Sequence, residues 1–249
     1  MKSWNLENNK AFVSGSCEGI GLSIAKLLSS LGCELILHDK DSEQKCVEAL
    51  RKIDLTKKRK SSYVVGDFGS QSDLQHVISK LKGVDILVLN ASTQVRVDFE
   101  AIEKEVFDTH ANTNLWSSIA LIQHVLPEMK AAKWGRIITI GSIQDLRPHP
   151  QMAVYACLKA ATSNLVRNLA LQYSRFGITI NNVSPGVVAT ARNEEALKDS
   201  DYAAEILKKI PIGVFANPDD CAGIVAFLAS NFGAYITGQT IYCDGGMNL

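Results

Sequence analysis

The sequence lacks an excess of charge of either sign, and it lacks any long apolar run. Its 249 residues include 26 Lys and Arg against 26 Asp and Glu, so the formal net charge is zero. A zero balance argues against a general nucleic-acid or membrane-surface binder, because phosphate binding needs a basic excess. No apolar stretch approaches the roughly 18 residues of a membrane span. We therefore expect neither a nucleic acid nor a membrane as a partner.

Closely spaced cysteine pairs are also missing. The six cysteines are Cys17, Cys33, Cys46, Cys157, Cys221 and Cys243. No two of them form a Cys-x-x-Cys pair, and the first ten residues are polar, unlike a secretory signal. We predict free thiols in a reducing, cytoplasmic location, with disulfides as the alternative. The histidines have no Cys or acidic partners at ligand spacing, so we predict no metal site.

Proline is scarce, at 6 of 249 residues, and no linker, repeat or low-complexity segment divides the chain. Short apolar runs at 11–13, 35–37, 63–65, 85–89, 136–140, 178–183 and 239–243 predict strands. Helical periodicity predicts helices at 20–31, 41–53, 72–81, 103–130, 153–176, 194–210 and 218–230, and the basic run at 57–60 reads as a solvated connection. This alternation predicts a single α/β domain, residues 1–249, with a doubly wound parallel sheet of about seven strands and helices on both faces.

A glycine-rich turn joins the first predicted strand to the first helix. Residues 14–21 read Ser-Gly-Ser-Cys-Glu-Gly-Ile-Gly, which spaces the glycines differently from the usual dinucleotide fingerprint. Glycines permit a tight turn and let backbone approach a pyrophosphate, and the following helix offers free N–H groups. Clustered glycines also mark ordinary turns, but their place between a strand and a helix predicts phosphate binding.

An acidic residue follows the second predicted strand. Asp39 lies 18 residues beyond Gly21, where a carboxylate accepts hydrogen bonds from an adenosine ribose and repels a 2′-phosphate. Glu18 adds negative charge nearby, so we predict NAD, with NADP as the less favoured cofactor. Lys40 is the counter-argument, because a cation holds a 2′-phosphate. Asp39 could instead cap the helix that begins near residue 41.

Three residues further along the chain predict acid–base chemistry. Tyr155 and Lys159 are four residues apart and so share one face of a predicted helix. Tyrosine is a poor base at neutral pH, but an ammonium about 4 Å away favours the phenolate by roughly 4 kcal/mol. Ser142 follows the strand at 136–140, at the edge where open sheets place ligands. Taken alone, a Tyr-x-x-x-Lys pair more often marks an exposed helix face.

These motifs occur together and in order. They are Ser14-Gly15-(x3)-Gly19-Ile20-Gly21, Asn90-Ala91, Asn114, Ser142, Tyr155-(x3)-Lys159, Pro185-Gly186, residues 236–240 and Asp244-Gly245-Gly246. The sequence resembles the classical short-chain dehydrogenase/reductase family over essentially its whole length. The resemblance implies a Rossmann-type fold and an oxidoreductase.

The resemblance also implies roles for individual residues. Tyr155 would be the general acid/base, Lys159 would tune it and hold the nicotinamide ribose, Ser142 would position the substrate oxygen, and Asn114 would hold a water linked to Lys159. The implied cofactor-binding residues are Gly15, Ser16, Glu18, Gly19, Ile20 and Gly21 at the pyrophosphate, Asp39 at the ribose, Asp67 and Phe68 at the adenine, Asn90 and Ala91 beside the adenosine, and Pro185, Gly186 and Val188 at the nicotinamide.

The chain departs from the family pattern at three places. Ser14 stands where the family usually has Thr, and since the hydroxyl survives we expect little effect. Leu89 and Ser92 stand where the family usually has Asn and Gly. Leu89 removes a polar group and Ser92 adds a side chain beside the cofactor, which affects local cofactor geometry rather than the reaction class.

Segments 93–97, 143–151 and 187–197 should wall the substrate cleft. Their polar residues are Gln94, Arg96, Gln144, Asp145, Arg147, His149 and Arg192, of which we take Gln94, Gln144, Arg147 and Arg192 as substrate-binding candidates. This set predicts a small polar substrate such as a sugar, polyol or sugar acid. The alternatives are that these side chains face solvent or another subunit, that the substrate is a 3-oxoacyl thioester reduced with NADPH, or that the protein is a non-catalytic nucleotide-binding regulator.

Two further expectations concern segments rather than single residues. The charged stretch at 189–210 would act as a lid over the cleft, or would be an ordinary surface helix. The long helices at 103–130 and 153–176 carry more apolar residues than one sheet face needs. The resemblance implies that they pair in a homodimer or homotetramer.

Overall fold

In the computed structural model, which describes residues 3–53 and 61–249, seven strands form one parallel sheet. The strands are β1 Lys10–Val13, β2 Glu34–Asp39, β3 Ser62–Val65, β4 Ile86–Leu89, β5 Gly135–Ile140, β6 Ile178–Pro185 and β7 Thr240–Cys243. Their order is β3-β2-β1-β4-β5-β6-β7, and every neighbouring pair is parallel. This confirms the predicted doubly wound sheet.

Both faces of the sheet are buried, which explains why its strands are short and apolar. Along β1, Ala11 and Val13 pack into a cluster on one face while Phe12 packs into a cluster on the other. All six residues of β5 and all eight of β6 are buried. Such strands need helices on each side, because an uncovered face would leave this apolar surface in water.

The helices cover the faces with bounds close to those predicted. They are α1 Gly19–Ser30, α2 Glu43–Ile53, α3 Gln71–Ile78, α4 Lys104–Ala111, α5 Ser117–Ala132, α6 Ala153–Tyr173, α7 Ala191–Lys198, α8 Ser200–Leu207 and α9 Pro218–Ala229. Across the described residues, none of these helices combines the length and the apolar character that crossing a membrane requires. The basic run at 57–60 lies outside the described residues.

Two predicted helices are each divided in the structure. The helix expected at 103–130 is interrupted by a π-helical turn, Asn112–Trp116, between α4 and α5. The helix expected at 194–210 is two helices, because the carboxylate of Asp199 accepts hydrogen bonds from the backbone N–H groups of Asp201 and Tyr202 and so starts α8. A side chain that caps a new helix competes with continuation of the previous one.

The strand order places a crevice at the centre of the sheet. From β1 the chain moves outward to β2 and β3, then returns to β4 on the other side of β1. The loops that follow β1 and β4 therefore diverge above the carboxyl ends of these two strands. Open α/β sheets bind ligands at such a switch point.

His38 on β2 fastens the glycine turn to the sheet. Its ring is buried and stacks on Phe68 at 4.4 Å between centroids. Nδ1 accepts a hydrogen bond from the N–H of Gly15 at 3.0 Å, and Nε2 lies 2.9 Å from the carbonyl oxygen of Gly66. This pattern needs a neutral imidazole with its proton on Nε2. Burial lowers the pKa of His38 from 6.5 to about 4.

We predict that protonation of His38 in the unfolded chain destabilises the fold in acid. Between about pH 6.5 and pH 4 the unfolded chain binds a proton at His38 and the folded protein does not. The free energy of unfolding is therefore unaffected by this group above about pH 6.5 and decreases as the pH falls towards 4, by at most about 3 kcal/mol. The measurement is urea unfolding from pH 7 to pH 4. His38→Gln should reduce the loss of unfolding free energy over this range, whereas His76→Gln, at an exposed histidine, should not. Equal losses in wild type and His38→Gln would contradict the assignment.

Candidate active site

A cleft of about 1350 Å³ opens over the crevice between the β1 and β4 loops. Most of the predicted site residues line it: Gly15, Glu18, Gly19, Ile20, Asp39, Asp67, Phe68, Asn90, Ala91, Gln94, Ser142, Gln144, Arg147, Tyr155, Lys159, Pro185, Gly186 and Val188. Ser16, Gly21 and Asn114 are not among the lining residues, and the side chain of Arg192 lies outside the described part of the chain.

The glycine turn needs its glycines for two different reasons. Gly15 has φ of +60°, and a Cβ there would lie 3.2 Å from the Cα of Ala91. A Cβ on Gly21 would lie 2.1 Å from the carbonyl oxygen of Gly15, so Gly21 lets α1 pack directly on the turn. We expected Gly21 at the pyrophosphate, but the structure places it behind the turn. Ser16 also lies behind it, where its Oγ accepts a hydrogen bond from the N–H of His38 at 2.9 Å.

Asn90 and Ser14 hold the β1 and β4 loops together. The Asn90 amide donates to the carbonyl oxygens of Ser14 and Gly15 at 3.0 and 2.9 Å. In return, the Ser14 hydroxyl oxygen accepts from the N–H groups of Asn90 and Ala91 at 2.9 and 3.0 Å. These contacts use only the hydroxyl group of Ser14, which a Thr at this position would also carry. They do not need the additional methyl group of a Thr. Leu89 points into the apolar core beneath them.

The start of α1 fits an anionic ligand. Its N-cap residue, Glu18, makes no capping hydrogen bond with its side chain and instead pairs with Lys45 at 3.4 Å. The first N–H groups of α1 are thus left to a ligand or to water, and a helix N-terminus favours negative charge. Together with the narrow turn at Gly15, this arrangement fits the pyrophosphate of a dinucleotide.

Asp39 lies at the end of β2, where the ribose of such a dinucleotide would be held. One oxygen, Oδ1, accepts from the N–H groups of Asp41 and Ser42, so the residue does cap the turn before α2. The other oxygen is outside these two bonds and remains compatible with a ribose. Lys40, the cation that would favour a phosphate, forms an ion pair with Asp67 at 3.3 Å.

Tyr155 and Lys159 lie on the cleft side of α6, and both side chains are about 95% buried. The Lys159 Nζ atom is 5.4 Å from the centre of the Tyr155 ring and donates to the carbonyl oxygen of Ile140 at 2.7 Å. Because Ile140 ends β5, this bond fixes the ammonium between helix and sheet. Ser142 follows two residues later, on the same wall, and its Oγ accepts from the N–H of Gln144.

Asn114 and His110 fix the loop that follows β4. In the π-helical turn, Asn114 is buried, and its amide exchanges two hydrogen bonds with the backbone of Thr93, at 2.8 and 2.9 Å. One turn earlier, His110 accepts from the N–H of Val95 at 3.1 Å. The side-chain amide of Asn114 makes both of these hydrogen bonds to Thr93. Its expected water-binding role stays a prediction. His110 gave no signal in the sequence, because its partner is distant in the chain.

The segment that follows β6, where the resemblance places the nicotinamide, also lines the cleft. A Cβ on Gly186 would lie 2.8 Å from the Cα of Asp244, so this glycine lets the C-terminal segment pack beside the cleft. Val188 is buried and pairs with Ala216 in an isolated β-bridge, and its carbonyl oxygen accepts from Asn193 at 2.8 Å. These bonds fix the segment between β6 and α7.

The predicted substrate residues behave differently from one another. Gln144 accepts from the N–H of His149, and Arg147 donates to main-chain oxygens of Asn248 and Leu249. Asp145 turns away from the cleft, where its carboxylate accepts from Ser163 at 2.8 Å and from Tyr242 at 3.1 Å. Burial and this carboxylate raise the pKa of Tyr242 to about 12. The expectation that Asp145 walls the cleft was wrong, because its carboxylate is directed to α6 and β7 although its neighbours Gln144 and Leu146 line the cleft.

Comparisons with known proteins agree with this geometry. The family model described as enoyl-(acyl carrier protein) reductase matches residues 15–248. A 3-oxoacyl-[acyl-carrier-protein] reductase of Rickettsia prowazekii is 32% identical, with 98% of each chain covered.

Solved structures agree as well. A 3-oxoacyl (acyl-carrier-protein) reductase of Agrobacterium tumefaciens with NADP bound is 31% identical, with a TM-score of 0.91 over 98% of this chain and 95% of that one. A putative NAD(P)-dependent gluconate 5-dehydrogenase of Beutenbergia cavernae, with NADP at low occupancy, is 30% identical, with a TM-score of 0.92 over 98% of each chain. The chain therefore belongs to the short-chain dehydrogenase/reductase family of NAD(P)-dependent oxidoreductases.

Proposed function

We propose that this enzyme interconverts a secondary alcohol and a ketone at the wall formed by Ser142, Tyr155 and Lys159. The observation that carries the proposal is their convergence: two side chains from α6 and one from the end of β5 border the same cleft. A buried lysine beside a buried tyrosine is costly unless both are used or paired. A regulator that only bound nucleotide would not need this arrangement.

Pro185, Gly186 and Val188 would hold the nicotinamide of a bound dinucleotide, which would supply or accept the hydride. In ketone reduction the Tyr155 hydroxyl gives its proton to the ketone oxygen, and in alcohol oxidation the Tyr155 phenolate takes the proton from the alcohol. Lys159 favours the phenolate at that moment, because a cation close to the ring stabilises negative charge in a site shielded from water. Ser142 donates a hydrogen bond to the same substrate oxygen and so fixes its distance from Tyr155.

We further propose NAD as the cofactor. The two solved relatives hold NADP, which favours NADP. The described residues around the adenosine end favour NAD, because the acidic groups of Glu18, Asp39, Asp41 and Asp67 outnumber the cations of Lys40 and Lys45. Both lysines are already paired with acids, at 3.3 and 3.4 Å. A 2′-phosphate would add charge to a region that is already negative.

For the substrate we propose a small polar secondary alcohol, such as a sugar, polyol or sugar acid. The gluconate 5-dehydrogenase relative supports this class, and the 3-oxoacyl reductase relatives support a thioester as the second candidate. The polar groups of Gln94, Gln144 and His149 at the substrate end favour the first.

We also propose that the whole chain is one domain and acts as a homodimer or homotetramer in the cytoplasm. Within the described residues all six cysteines are free thiols, as expected in a reducing compartment. Phe107, Trp116 and Leu171 on α4, the π-helical turn and α6 are exposed apolar side chains. These lie on the elements expected to pair, and another subunit would cover them.

The first prediction tests the acid–base role. Tyr155→Phe should lower kcat by about 10²-fold or more, since it removes the group that transfers the proton, while dinucleotide affinity measured by calorimetry stays within about twofold. The matched control is Tyr173→Phe on the same helix, away from the cleft, which should keep full turnover. Retained turnover in Tyr155→Phe would refute the mechanism.

The second prediction tests the cofactor. Asp39→Asn keeps a side-chain oxygen for the N–H groups of Asp41 and Ser42 but removes the charge. We expect KM for NADP to fall about tenfold, because like-charge repulsion is relieved, and KM for NAD to rise, because the oxygen left for the ribose is replaced by an amide NH₂ group. Asp219→Asn, which removes an exposed charge on α9, is the control. A wild-type enzyme with a lower KM for NADP than for NAD would contradict the NAD proposal.

The third prediction concerns the substrate. A panel of polyols, sugar acids and 3-oxoacyl thioesters, each assayed with both cofactors, should give turnover on one or more of the polyols or sugar acids. Activity on thioesters alone, with NADPH, would overturn the proposed class and establish the second candidate.

A further inference from the structure

The two ends of the cleft carry opposite charge. Its described acidic side chains, Glu18, Asp39, Asp41 and Asp67, belong to the adenosine end. Beyond Tyr155, the charged or titratable side chains that line the described part of the cleft are Arg96, Arg147, His149, Tyr202 and Lys209. A substrate that enters this end therefore meets a positive field with low-dielectric walls, which attracts anions.

Three of these side chains come from separate segments that converge. Arg96 lies in the loop after β4, His149 precedes α6, and Lys209 follows α8. The first two segments are joined by the bond from the N–H of Val97 to the carbonyl oxygen of Gln151, at 2.9 Å. Burial and the positive charges of Arg96 and Lys209 together lower the pKa of His149. All three side chains line the same cleft.

Arg96 is held in place without being neutralised. Its Nη2 donates to the Tyr202 hydroxyl at 3.2 Å, and its guanidinium lies 5.7 Å from the centre of that ring. Among the side chains that the structure describes, neither Arg96 nor Lys209 forms a salt bridge. The nearby carboxylate of Asp98 accepts from Gln151 and does not line the cleft. Arg147, by contrast, donates hydrogen bonds to the main-chain oxygens of Asn248 and Leu249.

We propose that Arg96, His149 and Lys209 form an anion subsite at the outer end of the substrate cleft, and that it holds the carboxylate of a hydroxy or oxo acid whose reacting carbon lies at Tyr155. This rests on the proposed function, since it places the reaction at Ser142 and Tyr155. The planar guanidinium matches a carboxylate with two parallel hydrogen bonds, and Lys209 adds positive charge. The His149 ring, whose Nδ1 accepts from the N–H of Gln151, offers its other nitrogen as an N–H donor. The sequence places Arg96 and His149 among the polar residues of the cleft walls, but the arginines chosen from it as substrate-binding candidates are Arg147 and Arg192.

The experiment compares substrates that differ at one group. D-Gluconate and further sugar acids are assayed beside the matching polyols, in which CH₂OH replaces the carboxylate. Arg96→Gln and Lys209→Gln should each raise KM for the accepted acid about tenfold, as expected for loss of a charged hydrogen bond, and leave KM for the polyol within about twofold. Lys208→Gln removes the adjacent exposed lysine, which pairs with Glu205, and should change neither value.

Binding separates this proposal from the reaction mechanism. Calorimetry with the NAD-loaded Tyr155→Phe protein should show the same tenfold weakening of acid binding when Arg96→Gln is added. That result supports the subsite even if Tyr155→Phe retains turnover. Acids and polyols affected equally, or no binding of any acid by the wild-type holoenzyme, would overturn it.

A phosphate is the other anion that could occupy this end. A 3-oxoacyl thioester of phosphopantetheine is therefore compared with the same thioester of N-acetylcysteamine, which has no phosphate. Loss of turnover in Arg96→Gln confined to the phosphate-bearing thioester would overturn the carboxylate assignment. Equal effects on the two thioesters, together with selective loss of the acid, would support it.

Discussion

The hydrogen bonds between Asn90 and the Ser14–Gly15 backbone set the geometry on which the rest of the site depends. They join the ends of β1 and β4, the two strands whose divergence creates the cleft. His38 fastens the same turn from the β2 side through Gly15. The start of α1 is therefore aimed by bonds from two neighbouring strands. A ligand that needs the helix N–H groups meets a surface that is already ordered, which lowers the entropy cost of binding.

Most of the fold could be predicted from the sequence, because apolar runs and helical spacing are local signals. All seven predicted strands are present, and the positions of Gly15, Ser142, Tyr155 and Lys159 on the cleft follow from the rule that parallel sheets bind ligands at their carboxyl edge. The wrong boundaries share a cause. The π-helical turn adds a single residue within a long helical stretch, and the break at Asp199 depends on one capping side chain, so neither stands out in the helical periodicity.

The details of the site were harder to predict because their partners are distant in the chain. Asp145 sits among cleft-forming residues in sequence, yet its carboxylate binds Ser163 and Tyr242, 18 and 97 residues away. The same holds for Arg96, which is positioned by Tyr202 over 106 residues. Composition suggested polar walls, but the three-dimensional arrangement decides which polar groups meet solvent, which meet each other, and which face a substrate.

The π-helical turn at Asn112–Trp116 has a consequence for how this chain uses its longest helical stretch. Each residue advances an α-helix by about 100°, so the extra residue in a π turn rotates everything before it relative to everything after it. Val125 and Met129 of α5 pack on the sheet, while His110 on α4 reaches the loop above it. The π-helical turn thus separates α5, which packs on the core, from α4, which fixes the loop at the entrance of the cleft. Substitutions on the loop-facing side of α4 would leave the core-facing side of α5 in its present orientation.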